Sequence, residues 1–287
     1  MSVVKTAVRD PRPSPIAGTW YTGSPKQLRD SVASYIREAQ VEVVPGRVIG
    51  LVAPHAGHIY SGPVAGYAYR QVEGNTYDVV ALIGPDHRGL GFAPFFTTAH
   101  DGYQTPLGEV PVATELLEEL DHRVGLRRVR QDQEHSLEIQ LPFLQVALDG
   151  EFRLLPVMMR DQSEAACREL GAALADLLQG RRALLIASSD LSHYYDANTA
   201  RRLDTVVTDR IAAFDPVGLL EVLETGKGQA CGGGPMATVM FAAQALGANE
   251  ARLLHYATSG DVTGDYYAVV GYAAAVFYTT QHATRNT

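Results

Sequence analysis

The chain has 287 residues, 46% of them hydrophobic, which is enough for one large domain or two modest ones with a sizeable core. Its formal net charge is −8, and only three of its 24 basic residues are lysines (Lys5, Lys26 and Lys227), which excludes the clustered positive charge that nucleic-acid or anionic-membrane binding needs. No apolar run approaches the roughly 18 residues of a spanning helix, the start lacks a signal-peptide pattern, and two cysteines, Cys167 and Cys231, are too few for a disulfide framework; a soluble, cytoplasmic protein with free thiols is expected.

From Val3 to Pro15 the chain is charged and Pro-rich and reads as an extended arm. Ser24-Pro25 opens a helix to Ala39, because proline suits a first turn. The apolar run Val48–Ala53, stopped by Pro54, reads as a strand covered on both faces. Gly62 to Val72 reads as a helix, and Tyr77 to Ile83 as a second buried strand ending at Gly84-Pro85. Phe92 to Ala99 and Gly108 to Val112 are shorter strands. Helices are expected over Thr114–His122 and Glu134–Ala147, a strand over Phe152–Met159, a helix over Ser163–Gln179 and a buried strand over Arg182–Ser188. Helices then follow at Ala197–Phe214, Val217–Glu224 and Met236–Leu246, and strands at Arg252–Thr258 and Tyr266–Tyr278. Strands alternating with helices throughout predict an α/β fold, a single-domain open sheet with helices on both faces.

Three of these strands run into metal-capable residues: Pro54-His55-Ala56-Gly57-His58, Gly84-Pro85-Asp86-His87, and Ser188-Ser189-Asp190-Leu191-Ser192-His193. Taken singly, a histidine after a strand more often orders a loop, and Asp190 more often caps or turns. Ligands of open α/β sheets, however, bind beyond the carboxyl ends of strands, so all three clusters are directed to one edge. Imidazole is the commonest metal ligand, and carboxylates orient it from behind. Cys231 begins Cys231-Gly232-Gly233-Gly234-Pro235, just before a helix. A helix N-terminus lowers a thiol's pKa, and glycines allow another group to approach closely. His135 and Glu138 are spaced to share a helical face, facing the pocket, with a helix-start hydrogen bond from Glu134 or Ser136 as the plainer alternative. Cys167, inside an amphipathic helix, reads as core.

These segments resemble the Memo family. Ala17-Gly18-Thr19-Trp20-Tyr21 is similar to its AGxWY entry segment, and Pro54-His55-Ala56-Gly57 with Tyr60-Ser61-Gly62-Pro63-Val64-Ala65 to its PHAGxxYSGPVA motif. Gly84-Pro85-Asp86-His87, Thr105-Pro106-Leu107-Gly108, Glu134 to Leu144, Ser188 to His193, and Cys231-Gly232-Gly233-Gly234-Pro235 follow in the family's order. The resemblance runs from about Ala17 to Tyr278. Bacterial and archaeal members are often called AmmeMemoRadiSam system protein B, which implies radical-SAM and AMMECR-type partners. It implies a fold like the class III, LigB-type non-haem iron extradiol dioxygenases and one Memo-like domain over 1–287, with 1–15 as the arm.

Carried over by motif, His55, His87 and Cys231 are the metal-binding set, His193 the acid/base histidine, and Asp190 and His135 pocket residues. The family more often has tyrosine where His58 stands, so His58 inherits no role. One divalent transition metal is expected, Fe first, with Cu or Zn as alternatives, because thiolate is a soft ligand. Three functions follow: a metal-dependent redox enzyme acting on an aromatic substrate, a hydrolase using Cys231 with His193 as base, and a non-catalytic module binding a peptide or partner protein, with homo-oligomers allowed in each case.

Overall fold

The structure, a computed structural model, describes residues 7–280. Residues 1–6, the first part of the expected arm, lie outside the described residues. Strand β1 (Pro11–Arg12) pairs in parallel with a later strand, which holds this end down. Helix α1 (Pro25–Glu38) starts at Pro25 and buries Leu28, Val32 and Ile36, four residues apart on one face. Then come β2 (Arg47–Ala53), α2 (His58–Arg70), β3 (Val79–Pro85), β4 (Phe95–Thr98), β5 (Gly102–Thr105) and β6 (Gly108–Pro111). They are followed by α3 (Thr114–Val124), β7 (Leu126–Val129), a 3₁₀ turn at Glu138–Gln140, α4 (Leu141–Ala147), β8 (Arg153–Met159), α5 (Glu164–Leu178) and β9 (Ala183–Ser188). The chain ends with β10 (His193–Tyr195), α6 (Ala197–Ala212), α7 (Pro216–Glu224), α8 (Gly233–Ala245), β11 (Glu250–Thr258), α9 (Gly260–Thr263) and β12 (Val269–Thr279).

The main sheet has nine strands, in the order β10-β12-β2-β9-β3-β8-β4-β7, with β11 on β12. Its centre, β2-β9-β3-β8, is parallel, and β12 and β4 join antiparallel on either side. Helix α2, backed by α1, packs on β2 and β12; α8, backed by α5 and α7, packs on β2, β9 and β3. This is the expected open α/β sheet with helices on both faces. Strands β1, β5 and β6 form a separate three-stranded sheet. Among the described residues no helix is long and apolar enough to cross a membrane.

Two expected helices are corrected. The helix expected from Gly62 begins a turn earlier, at His58, with Pro63 inside it, so that His58 sits on its first turn. The helix expected from Glu134 begins only at Leu141, after the 3₁₀ turn. The backbone NH groups of His135 and Ser136 are taken by the Glu134 carboxylate, at 2.8 and 2.9 Å, which holds Glu134–Leu137 as a loop. Strands β5, β7 and β10 were not expected; they are short, and β7 and β10 pair with strands distant in sequence.

The parallel centre sets up the candidate site. His55, His87 and Asp190 each lie two residues beyond the end of their strands, β2, β3 and β9. With β9 between β2 and β3, all three leave the sheet on its carboxyl edge.

Candidate metal centre

At that edge the side chains of His55, His87 and Cys231 meet, with all potential ligand atoms within 4.8 Å of one another. Cys231 Sγ lies 3.1 Å from His55 Nε2. Metal bonds of about 2.0–2.1 Å to nitrogen and 2.3 Å to sulfur make this a spacing that one ion bridges after small side-chain shifts.

Each imidazole is fixed from behind. His55 Nδ1 faces Ser188 Oγ at 3.1 Å. That hydroxyl donates to the Ser136 carbonyl at 2.6 Å and accepts from Gln140 Nε2 at 2.8 Å. Only a lone pair of Ser188 is left for His55, so Nδ1 carries the hydrogen and Nε2 presents its lone pair towards Cys231. His87 Nδ1 donates to Glu134 Oε1 at 3.0 Å, and the His87 backbone NH donates to Glu134 Oε2 at 2.7 Å. His87 Nε2 is likewise left to face the cluster. Burial, reinforced by the charge of His87, pushes His55 down to about 3, so its lone pair is available across the neutral range.

Glu134 was expected at most to start a helix; instead it orients His87. Burial opposes its ionisation. The hydrogen bond from His87, that residue's charge and the Ser136 NH together outweigh burial and hold its carboxyl well below the usual range. Glu134→Gln keeps the shape but removes the charge, and metal affinity is expected to fall about 10–100-fold in competition with a chelator; unchanged affinity would remove Glu134 from the site.

His135 does enter the pocket. Its ring lies 4.8 Å from that of His87, nearly parallel at 13°, 5.4 Å from His55 edge-on and 4.1 Å from Trp20. Burial and then His55 push it down to about 3, which leaves it a neutral base beside the cluster. His87, Glu134 and His135 also form a compact group of metal-capable atoms. Glu134 Oε1 is already shared among three N–H donors, so its chemistry is that of an orienting group. Glu138 does not share the pocket with His135, as helical spacing predicted. Its carboxylate meets Arg12 at 2.7 Å, Tyr21 at 2.7 Å and Ser14, because the loop before the 3₁₀ turn breaks the helical register.

Two expectations about the thiol and the acid/base pair also change. The Cys231 thiol is not lowered by its helix: burial first, then the charge of Asp190, push it up. The NH groups at the start of α8 are occupied elsewhere, Gly232 N by Ser189 Oγ at 2.9 Å and Gly234 N by Gln162 Oε1 at 2.7 Å. A bound cation reverses this balance by taking the thiol as thiolate. The expected close approach at the glycines is present. A Cβ on Gly232 would lie 2.6 Å from the Ser188 carbonyl oxygen, so glycine lets the Cys231 loop close over the end of β9.

Asp190 was expected to orient His193. Its Oδ1 instead accepts the His55 backbone NH at 2.7 Å, and burial pushes its carboxyl up to about 6. His193 lies near enough for its charge to act on Asp190, while its backbone NH bonds Gln229 at 3.2 Å. Trp20 and Gln140 were not expected at the site, and Ser188, part of the third cluster, had been given no role of its own. His58 is a packing residue: its Nε2 donates to the Ile139 carbonyl at 3.0 Å. Cys167 is buried, with burial raising its thiol to about 11, as a core position requires.

Fold and site together define an open-sheet α/β protein with a candidate imidazole–thiol metal cluster at the carboxyl edge of its central strands. The model of the Memo-like protein family matches residues 12–276. A MEMO1 family protein from Methanopyrus kandleri is 40% identical over 279 residues, covering 91% of this chain and 97% of that protein. One from Nitrosopumilus maritimus is 35% identical over 270 residues, covering 91% and 98%. An uncharacterised protein from Escherichia coli K12 of solved structure aligns with a TM-score of 0.47 and 15% identity, covering 79% of this chain and 99% of that one. The chain belongs to the Memo family.

Proposed function

We propose that this chain binds one divalent transition metal through His55, His87 and Cys231 and works as a non-haem redox enzyme related to the extradiol dioxygenases. The observation that supports it is the pair of imidazoles, each held by an acceptor on Nδ1 and offering Nε2 to the same point as a thiol. The donor set fits iron first and copper or zinc next, because two borderline nitrogens and one soft sulfur disfavour Mg and Ca. Bound there, iron supplies redox chemistry with O₂. The chain's own residues do the rest. Glu134, Ser188 and Gln140 hold the imidazoles; His135 and His193 are placed to take or return protons; Trp20 roofs His135 and keeps water away from it. Access is from the side of His87, the more exposed of the two histidine ligands.

The thiol-hydrolase reading has one observation in its favour, the 3.1 Å contact of Cys231 with His55. The protonation states oppose it. With the thiol pushed up and the imidazole pushed down, the pair rests neutral rather than as the thiolate–imidazolium that attack needs. The reading of a binding module without turnover, partnering a radical-SAM protein, differs from the first in chemistry rather than in geometry. Anaerobically purified protein is expected to contain about one equivalent of iron with a sulfur-to-metal charge-transfer signature. Metal-free protein that hydrolyses esters or peptides at full rate overturns the metal reading.

A further inference from the structure

Beside the metal cluster lies a second cleft of about 540 Å³ whose lining has an unusual composition. Four aromatic rings face it, those of Trp20, Tyr60, Tyr194 and Tyr272, together with the carboxylate of Asp265. Among the described residues no lysine or arginine lines it.

Two of these rings hold opposite positions, one in the core and one on the rim. Tyr272 is only 2% exposed and packs in the core, so its ring forms a fixed wall of the cleft. Tyr194 sits at φ 64°, a left-handed conformation that costs a non-glycine residue about 1–2 kcal/mol. It is 76% exposed, so that strain is not recovered in core packing. What the strain achieves is to set a ring on the rim of the cleft.

The electrostatics of the lining choose the ligand. Aromatic faces carry negative charge density, and Trp and Tyr attract cations within about 6 Å of their centroids. Asp265 lines the cleft, with its Oδ1 accepting the Tyr267 NH at 2.9 Å. Asp190 is also near enough for its charge to act on the Tyr272 hydroxyl. An anion entering here meets carboxylates and ring faces with no lysine or arginine beside them, only the start of α2, whose His58 and Tyr60 NH groups are already taken by the Trp20 and Gly57 carbonyls. We propose that this cleft binds an organic ammonium ion, its N–H groups taken by the Tyr272 hydroxyl and the Asp265 carboxylate and its alkyl or aryl body held by the rings of Trp20, Tyr60 and Tyr194. Because Trp20 also stacks on His135, the cation lies next to the metal cluster, and a molecule with an ammonium at one end would bring its other end towards His87. The cleft stands on its own lining, so the proposal holds whether or not the neighbouring cluster carries metal.

Trp20 is the only tryptophan of the chain, so intrinsic fluorescence reports on this cleft. The purified full chain is titrated with three probes of one shape and different charge: phenethylammonium, 2-phenylethanol and 3-phenylpropionate. Phenethylammonium is expected to saturate the signal and to bind at least about fivefold tighter than either of the others. Tyr272→Phe is expected to weaken it about 3- to 10-fold, the loss of one hydrogen bond, and Asp265→Asn to narrow its advantage over the alcohol. Asp265 is on the surface, so that variant is not lost to misfolding. The proposal is overturned if 3-phenylpropionate binds as tightly as the ammonium probe, if phenethylammonium does not saturate the signal, or if both variants bind it like the parent.

Discussion

His55→Ala and Cys231→Ala are each expected to lose essentially all bound metal, while His193→Ala keeps most of it. His55 contributes a neutral imidazole whose Nε2 lone pair is 3.1 Å from the thiol sulfur, and Cys231 contributes the one soft donor of the cluster. Removing either leaves two protein ligands of the set, and the neighbouring group of His87, Glu134 and His135 shares only His87 with it. His193 stands outside the group of atoms that converge, and acts on it only through charge. Loss of such an outer group costs about 10–100-fold in affinity or activity, which leaves a tight site largely filled. Elemental analysis of the three variants, prepared side by side, decides it. Should His193→Ala empty the site as fully as Cys231→Ala, His193 is itself a ligand and not an outer proton carrier.

The second large effect lies at the N-terminal strand. Arg12→Met is expected to destabilise the fold by about 3–5 kcal/mol, the range for removing one partner of a buried ion pair. Arg12 is buried, with Nε 3.0 Å from Asp132 Oδ2, one NH₂ group 2.7 Å from Glu138 and the other 2.8 Å from the Glu134 carbonyl, which leaves two carboxylates unpaired once it is gone. At about 2–4 °C per kcal/mol for a domain of this size, thermal unfolding moves down by on the order of 10 °C. The pH dependence gives a second signature. Burial already raises Glu138 above the ordinary glutamate value of 4.5, against the pull of Ser14 and Arg12. A raised carboxyl contributes stability that is present below its unfolded pKa and lost as pH rises through its folded pKa. Without Arg12 the raise grows, so the gap in melting temperature between variant and parent narrows as pH falls towards 4.5. A gap of constant size across that range, or a loss under about 1 kcal/mol, the size of an exposed pair, contradicts the ion-pair account.

The frame of this protein was legible in its sequence because the strands that carry it are buried on both faces and therefore written as continuous apolar runs. Val48–Ala53 and Arg182–Ser188 are found within a residue or two of their ends, and their exits, at His55 and Asp190, follow directly. The supports of the site were not legible, because they act across the fold rather than along the chain. Glu134 reaches His87 over 47 residues, and Gln140 reaches Ser188 over 48. The spacing of His135 and Glu138 looked helical, but the helix starts only at Leu141, and the two side chains diverge. For Cys231, position before a helix was a poor guide to its thiol, since what matters is where the helix's first NH groups point.

One stretch of seven residues, 134–140, touches the rear of both imidazoles. Glu134 holds His87, while the Ser136 carbonyl and the Gln140 amide hold Ser188, which holds His55. The two ligands are therefore braced by a single bracket, and Arg12 bolts that bracket to the N-terminal strand through the Glu134 carbonyl and Glu138. Alignment of the two histidines is thus a shared mechanical property. A disturbance at the bracket detunes both together, and a lesion tens of residues away, at β1, can change how the pocket grips an ion without touching any atom that binds it.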